Sequence, residues 1–155
     1  MKTFEFRVAT IDDVSALAKI RGKNAEEEVY WIDRISGYLH RTHHPQQALM
    51  PRIIYLACNG DTIAGFIAGH LTTRLECEGE LQWIDTVETY QRGGVASGLI
   101  RLLAKWFFSH SAYKICVDPG NEIARALYRK NGAETLDQHW MFWKDIRNIF
   151  TAESK

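Results

Sequence analysis

The chain has 155 residues, 46% of them hydrophobic and 25% charged, and its 19 Lys plus Arg balance its 19 Asp plus Glu. That length supports one domain able to bury roughly 70% of the surface its unfolded chain exposes, so neither a disulfide framework nor a structural metal is needed. Zero net charge argues against a bulk field drawing the chain to nucleic acid or an anionic membrane, and the charged opening MKTFEFRVATIDD with no long apolar run after it argues against a signal peptide or membrane span and for a cytoplasmic protein.

In chain order, TFEFRVA alternates as a strand does, and Thr10 with Asp13 three residues later opens a helix whose apolar face is Ile11, Val14, Leu17 and Ala18, ended by Gly22. Val29, Ile32, Ile35 and Leu39 recur at helical spacing and stop before Pro45, which predicts a second helix followed by the linker RTHHPQQALMPR. IIYLAC and TIAGFIAGHL flank Asn59-Gly60-Asp61 and read as paired antiparallel strands, because Asn-Gly tolerates the positive φ of a tight hairpin. ELQWIDTV is a further strand, and Val95, Leu99, Leu102, Leu103, Trp106 and Phe107 mark the stripe of a helix beginning near Gly94. YKICV is a short buried strand, DPGN turns into the helix EIARALYRK closed by Asn131 and Gly132, and AETLDQHWMFWKDI supplies one or two last strands. These predict one α/β domain over 1–150, a mixed and mostly antiparallel sheet flanked by helices, with 151–155 as a frayed tail.

The bare turn between a strand and a helix, VETYQRGGVASGLI, suits an anion, since glycine lets backbone approach a ligand and the first amides of a helix lack partners and carry partial positive charge. A Walker loop would need Lys and Ser or Thr after its last glycine, where Leu99 and Ile100 stand, and Gly93, Gly94 and Gly98 miss the dinucleotide spacing. Gln91, Gly94 and Ala96 form instead a (Q/R)-x-x-G-x-(G/A) pattern. Asn121, Ala124, Leu127, Tyr128 and Gly132 follow in NEIARALYRKNG. With these two motifs the chain resembles the GNAT superfamily of N-acetyltransferases. Ala96 stands where many members have glycine, and Glu88 where proline is common.

The resemblance implies that acetyl-CoA is the acyl donor, without a metal. Its pyrophosphate would be cradled by amides of Arg92, Gly93, Gly94, Val95 and Ala96 with Ser97, next to Gln91, and Asn121 would join them at the second helix. A main-chain N–H of Thr86 or Val87 would meet the thioester oxygen. Thr86 to Gly132 carries seven basic residues against three acids, so this half is +4 and the remainder −4, although solvated helix faces produce the same imbalance. A neutral alkylamine at pH 7 costs about 4.6 kcal/mol relative to its ammonium form, so a base, an oxyanion donor and an acid are wanted. Tyr128 matches the residue that often protonates the departing thiolate, with a core tyrosine on the Ala124 and Leu127 stripe as the alternative. Glu80, eleven residues before Gln91, matches the base of the histone-acetylating branch, with Asp85 and Glu76 as rivals and plain solvation at a strand entrance as the alternative.

His40, His43 and His44 crowd the linker but lack a completing ligand, and Glu26, Glu27 and Glu28 before Tyr30 and Trp31 are either part of an acceptor pocket or a charged helix start. Cys58, Cys77 and Cys116 contain no C-x-x-C and read as reduced, mostly buried thiols. The expected acceptor is an amine on a small molecule or on a protein or peptide. The same fold without catalysis would be an acyl-CoA-binding or sensing module, which would tolerate loss of Tyr128 and Glu80. Trp140, Phe142 and Trp143 on a terminal strand would favour a homodimer if exposed, and core packing otherwise.

Overall fold

A computed structural model describes the backbone of residues 3–153 and the side chains of 3–150. The elements are β1 (Glu5–Val8), α1 (Val14–Arg21), α2 (Ala25–Leu39), β2 (Ala48–Asn59), β3 (Thr62–Thr72), β4 (Gly79–Thr86), α3 (Val95–Ser109), β5 (Ile115–Val117), α4 (Glu122–Lys130), β6 (Glu134–Thr135), β7 (Met141–Trp143) and α5 (Asn148–Glu153). One seven-stranded sheet runs β1-β2-β3-β4-β5-β7-β6. Its pairs are antiparallel except β4 with β5, whose connection is the long crossover through α3. No described helix is long and apolar enough to cross a membrane. Of the expected frayed tail, α5 takes in the backbone of 151–153, and 154–155 lie outside the described residues.

Two apolar layers cover the sheet. On one face α3 sets Val95, Leu99, Leu103 and Phe107 against Ile67, Leu81 and Ile115. On the other, α1 and α2 set Leu17, Ile35 and Tyr38 against Leu56, Phe66 and Trp83. Helix α2 forms where its periodicity predicts one but turns a different face inward. Val29 and Ile32 are exposed, and Trp31, Ile35 and Tyr38, spaced by four and three, pack on the sheet. Aromatic area outweighs aliphatic area in choosing the buried face. Strand β2 begins at Ala48, inside the stretch read as linker, and the hairpin turn is Gly60-Asp61, with φ +63° at Gly60 and Asn59 paired to Thr62. Phe142 and Trp143 are buried, so they serve the core and offer no dimer surface, and Cys58, Cys77 and Cys116 are buried free thiols.

The start of the helical layer is pinned by charge. Arg7 donates to both oxygens of Asp13, at 2.9 and 2.8 Å, and the Thr10 amide donates to the same carboxylate at 2.8 Å. The Arg7 hydrogen bond, with the Thr10 amide, holds the Asp13 carboxyl below its usual range against the opposing effect of burial. A carboxyl lowered in the folded state stabilises fully above its unfolded value near ~3.9, and that contribution is lost as pH falls through the folded value. Asp13→Asn is therefore expected to lower the free energy of urea unfolding by about 1–2 kcal/mol at pH 7 with an unchanged m-value, the difference from wild type closing as pH falls through the lowered folded value.

Candidate active site

Strand β4 carries an extra residue. Its register with β3 holds from Thr86 to Trp83 opposite Gly65 to Ala68, then shifts so that Leu81 lies opposite Gly69, leaving Gln82 as a bulge. Pairing with β5 covers only Gly79–Leu81 against Ile115–Val117. From the bulge onward the two strands part, and a cleft of about 1090 Å³ opens between them. Its walls are β4 from Glu80 to Thr86, the first turn of α3 with the loop before it, and the start of α4.

The amide directions along β4 follow from one bond. Val87 N–H donates to Ala64 O at 2.8 Å, so it faces β3. Alternation then turns the Asp85 amide to β3 as well and those of Ile84 and Thr86 to the opposite, open edge. The Val87 amide is thus committed to the sheet. Among the described residues, Thr86 and Ile84 lie beyond the pairing with β5, so their amides are open donors, and Ile84 is a donor that motif reading missed.

Gly94 caps α3 at φ +84° with no side-chain cap, and the first bond within the helix is Gly98 N–H to Gly94 O at 2.9 Å. The amides of Val95, Ala96 and Ser97 are left without helical acceptors at the positive end of a 15-residue helix. A Cβ built on Gly94 meets no atom within 4 Å, so the space beside it opens to the cleft. These features fit a phosphate group. Arg92 and Lys130 line the same cleft and add positive charge. The Gln91 side-chain Nε2 donates to Thr86 O at 3.3 Å, bracing the loop, and Ser97 Oγ accepts from Asn131 at 3.3 Å. Gly93 does not line the cleft. Its Cα side abuts Tyr90 O and the Phe4 ring. Asn121 caps α4, its Oδ1 accepting from Ala124 N–H at 2.8 Å.

Glu80, Asp85 and Tyr128 converge on the cleft, and Glu76 lines a separate depression with Leu49 and His110. Tyr128 is 4% exposed and meets Trp143 edge to face at 5.9 Å, while its hydroxyl has no hydrogen-bond partner among the described residues. Burial, with Asp85 adding to it, pushes that hydroxyl above the ordinary tyrosine range and keeps it protonated at neutral pH. Glu80 is only 4% exposed, contrary to a solvated strand entrance. Its Oε2 lies 3.8 Å from Arg74 Nη1, and its Oε1 3.4 Å from His70 Nε2. Asp85 is bound by Arg21 at 2.6 Å, and that guanidinium stacks on Trp31 at 4.5 Å. Burial raises the Asp85 carboxyl against the pull of Arg21.

Glu27 accepts from Asn24 and its amide is capped by Asn24 Oδ1 at 2.9 Å, so the acidic run is a helix start. Tyr30 faces outward beside Arg34, and Trp31 packs inward on Trp83. His43 sits 3.0 Å from Arg34 and His44 2.9 Å from Arg52, and no metal-ligand cluster occurs among the described residues.

Residues 8–133 match the family model described as Acetyltransferase (GNAT) family. No curated protein matches the chain in sequence. Among solved structures, the PaiA N-acetyltransferase from Thermoplasma acidophilum in complex with coenzyme A superposes with a TM-score of 0.71 at 16% identity, covering 92% of this chain and 99% of that one. A mutant AtaT toxin bound to the C-terminus of the antitoxin AtaR and acetyl-CoA gives 0.70 at 13% identity over 99% of each chain. The KacTA–DNA complex gives 0.64 at 19% identity, covering 98% of this chain and 99% of that one. With a family model spanning most of its length and a strand-splayed cleft beside an uncapped helix, this chain belongs to the GNAT acetyltransferase family.

Proposed function

We propose that the protein is an acetyl-CoA-dependent N-acetyltransferase acting on a primary amine, of a small molecule or of a protein or peptide, by direct attack in a ternary complex. The observation that carries this reading is Tyr128, a tyrosine only 4% exposed that lines the cleft with a protonated hydroxyl having no hydrogen-bond partner among the described residues. A core tyrosine of ordinary purpose satisfies its hydroxyl. In this reading the first-turn amides of α3 hold the pyrophosphate, with Arg92 and Lys130 nearby. The Ile84 and Thr86 amides receive carbonyl oxygens of the acetyl-pantetheine arm, one of them stabilising the charge that builds on the thioester oxygen. Glu80 accepts the proton of the amine, whose nitrogen forms the new bond to the acetyl carbon. Tyr128 donates its proton to the departing sulfur.

Thermal unfolding with acetyl-CoA, and with ATP and NAD as controls, is the first check. Ligand at ~100 times its dissociation constant adds about 2.7 kcal/mol, or roughly 5–10 °C for a domain of this size. A shift with acetyl-CoA alone, followed by amine-dependent thiol release, is the expected result. A shift without thiol release across alkyl, amino-acid and peptide amines would favour an acyl-CoA-binding module instead, and no shift in folded protein would remove both readings.

A further inference from the structure

The proposed chemistry leaves a buried chain of polar groups unused. His70 stands on β3 directly opposite Glu80 in register and is fully buried, as is Tyr38 on α2. The Tyr38 hydroxyl lies 2.9 Å from His70 Nδ1, and His70 Nε2 lies 3.4 Å from Glu80 Oε1. His70 Nε2 and Glu80 Oε1 are both buried without a satisfied hydrogen bond, and they face each other. Phe66, Ala68 and Trp83 wall this side of the sheet, so no solvent competes for either atom. Such pairs are rare because an unmade bond between buried groups is costly.

The protons can be placed. Burial raises the Tyr38 hydroxyl well above the tyrosine range, with Arg52 opposing and Glu80 adding, so its proton stays on oxygen and is offered to Nδ1. An imidazole accepting at Nδ1 carries its own proton on Nε2, the nitrogen aimed at Glu80. The reverse arrangement would set a bare nitrogen against a carboxylate oxygen in an apolar wall.

We propose that His70 is a positioning residue for Glu80: locked as the Nε2–H tautomer by the Tyr38 hydroxyl, it donates to the inner carboxylate oxygen and leaves the outer one, on the Arg74 side, to take the proton of the acceptor amine. The inference rests on Glu80 being the base. In the step an N–H bond of the ammonium breaks, its electron pair stays on nitrogen, and a bond forms from the proton to Glu80 Oε2. His70 and Tyr38 keep their own protons throughout. The groups facing Glu80 are His70 from β3, Arg74 from the turn after it, Cys116 opposite in register on β5, Cys77 beside Cys116 and, through His70, Tyr38.

Long-range 1H–15N spectra of the folded protein read the tautomer without any acceptor. The expected result is Nε2–H for His70, with the Nδ1–H form appearing in Tyr38→Phe. An Nδ1–H tautomer in the wild type overturns the proposal. In turnover, a donor to the carboxylate favours its charged form, so removing it moves the acidic limb of kcat/KM for the amine upward by about one pH unit, with KM for acetyl-CoA unchanged. Tyr38→Phe and His70→Leu are expected to show that shift, and His70→Gln, which restores an N–H toward Glu80, to reverse it. An unmoved limb in Tyr38→Phe overturns the proposal, and that volume-conserving variant decides the matter if His70→Leu does not fold. A limb that persists in Glu80→Gln would instead remove the underlying reading of Glu80 as the base, whatever the tautomer.

Discussion

Tyr128→Phe is expected to lower kcat by about 10²- to 10³-fold while leaving KM for acetyl-CoA within threefold, the range that loss of a positioned general acid produces. The fold is expected to tolerate the change. The ring keeps its edge contact with Trp143, and the lost hydroxyl has no hydrogen-bond partner among the described residues, so the unfolding free energy should move by less than about 0.5 kcal/mol. A hydroxyl kept for stability would give the opposite split, a lower melting temperature with turnover intact. Single-turnover thiol release, measured beside thermal unfolding, separates the two. Because burial holds the Tyr128 proton in place well into the alkaline range, wild-type turnover should show no loss between pH 7 and about 9 attributable to this group.

Gly94→Val is expected to weaken acetyl-CoA at least tenfold. The position has φ +84°, which a β-branched residue adopts only under strain of about 1–2 kcal/mol. A Cβ there touches nothing within 4 Å, so the penalty is not a clash inside the protein. It falls on the backbone that aims the first amides of α3, at a residue that lines the cleft. Gly60→Val supplies the control. That glycine also has positive φ, +63°, and open space around it, but it lies in the β2–β3 hairpin. Both variants should lose a similar few degrees of melting temperature, and only Gly94→Val should lose the acetyl-CoA-induced shift. Equal loss of the shift in both would mean that strain anywhere in the fold disturbs binding and that the loop has no special part.

Local signals carried the element order well. The capping box of Thr10 and Asp13, the Asn-Gly hairpin and the Asn121 cap are short-range chemistry, and each formed where the residues predict. Most of the predicted site residues also meet in one cleft, because the two motifs lie on the α3 and α4 ends that flank the parting of β4 and β5. What the chain order concealed was long-range. Val87 is spent on Ala64, a carbonyl in another strand, and Gly93 turns outward toward Phe4 from β1's approach. Glu80 looked like a rim residue because burial depends on His70 and Arg74, which only sheet pairing brings near it. A histidine inside the otherwise apolar TIAGFIAGHL was the one available hint. The α2 face was misread for a related reason, since Tyr38 and Trp31 are drawn in by Trp83, a residue far along the chain.

The bulge at Gln82 puts strand β4 into two phases. Glu80 and Trp83 share one face of the sheet although they are three residues apart, and Leu81 and Ile84 share the other. The Glu80 carboxylate is therefore set by one phase and the open amides by the next, with a single residue as the joint. Chain length across this joint has no slack. Deleting Gln82 would restore strict alternation with each remaining residue on its present face, and would remove the bulge at which β4 and β5 part. Tolerance of insertions and deletions along this chain should accordingly be lowest here, in a stretch with no glycine and no conspicuous motif, and higher in the glycine-rich loop that draws the eye.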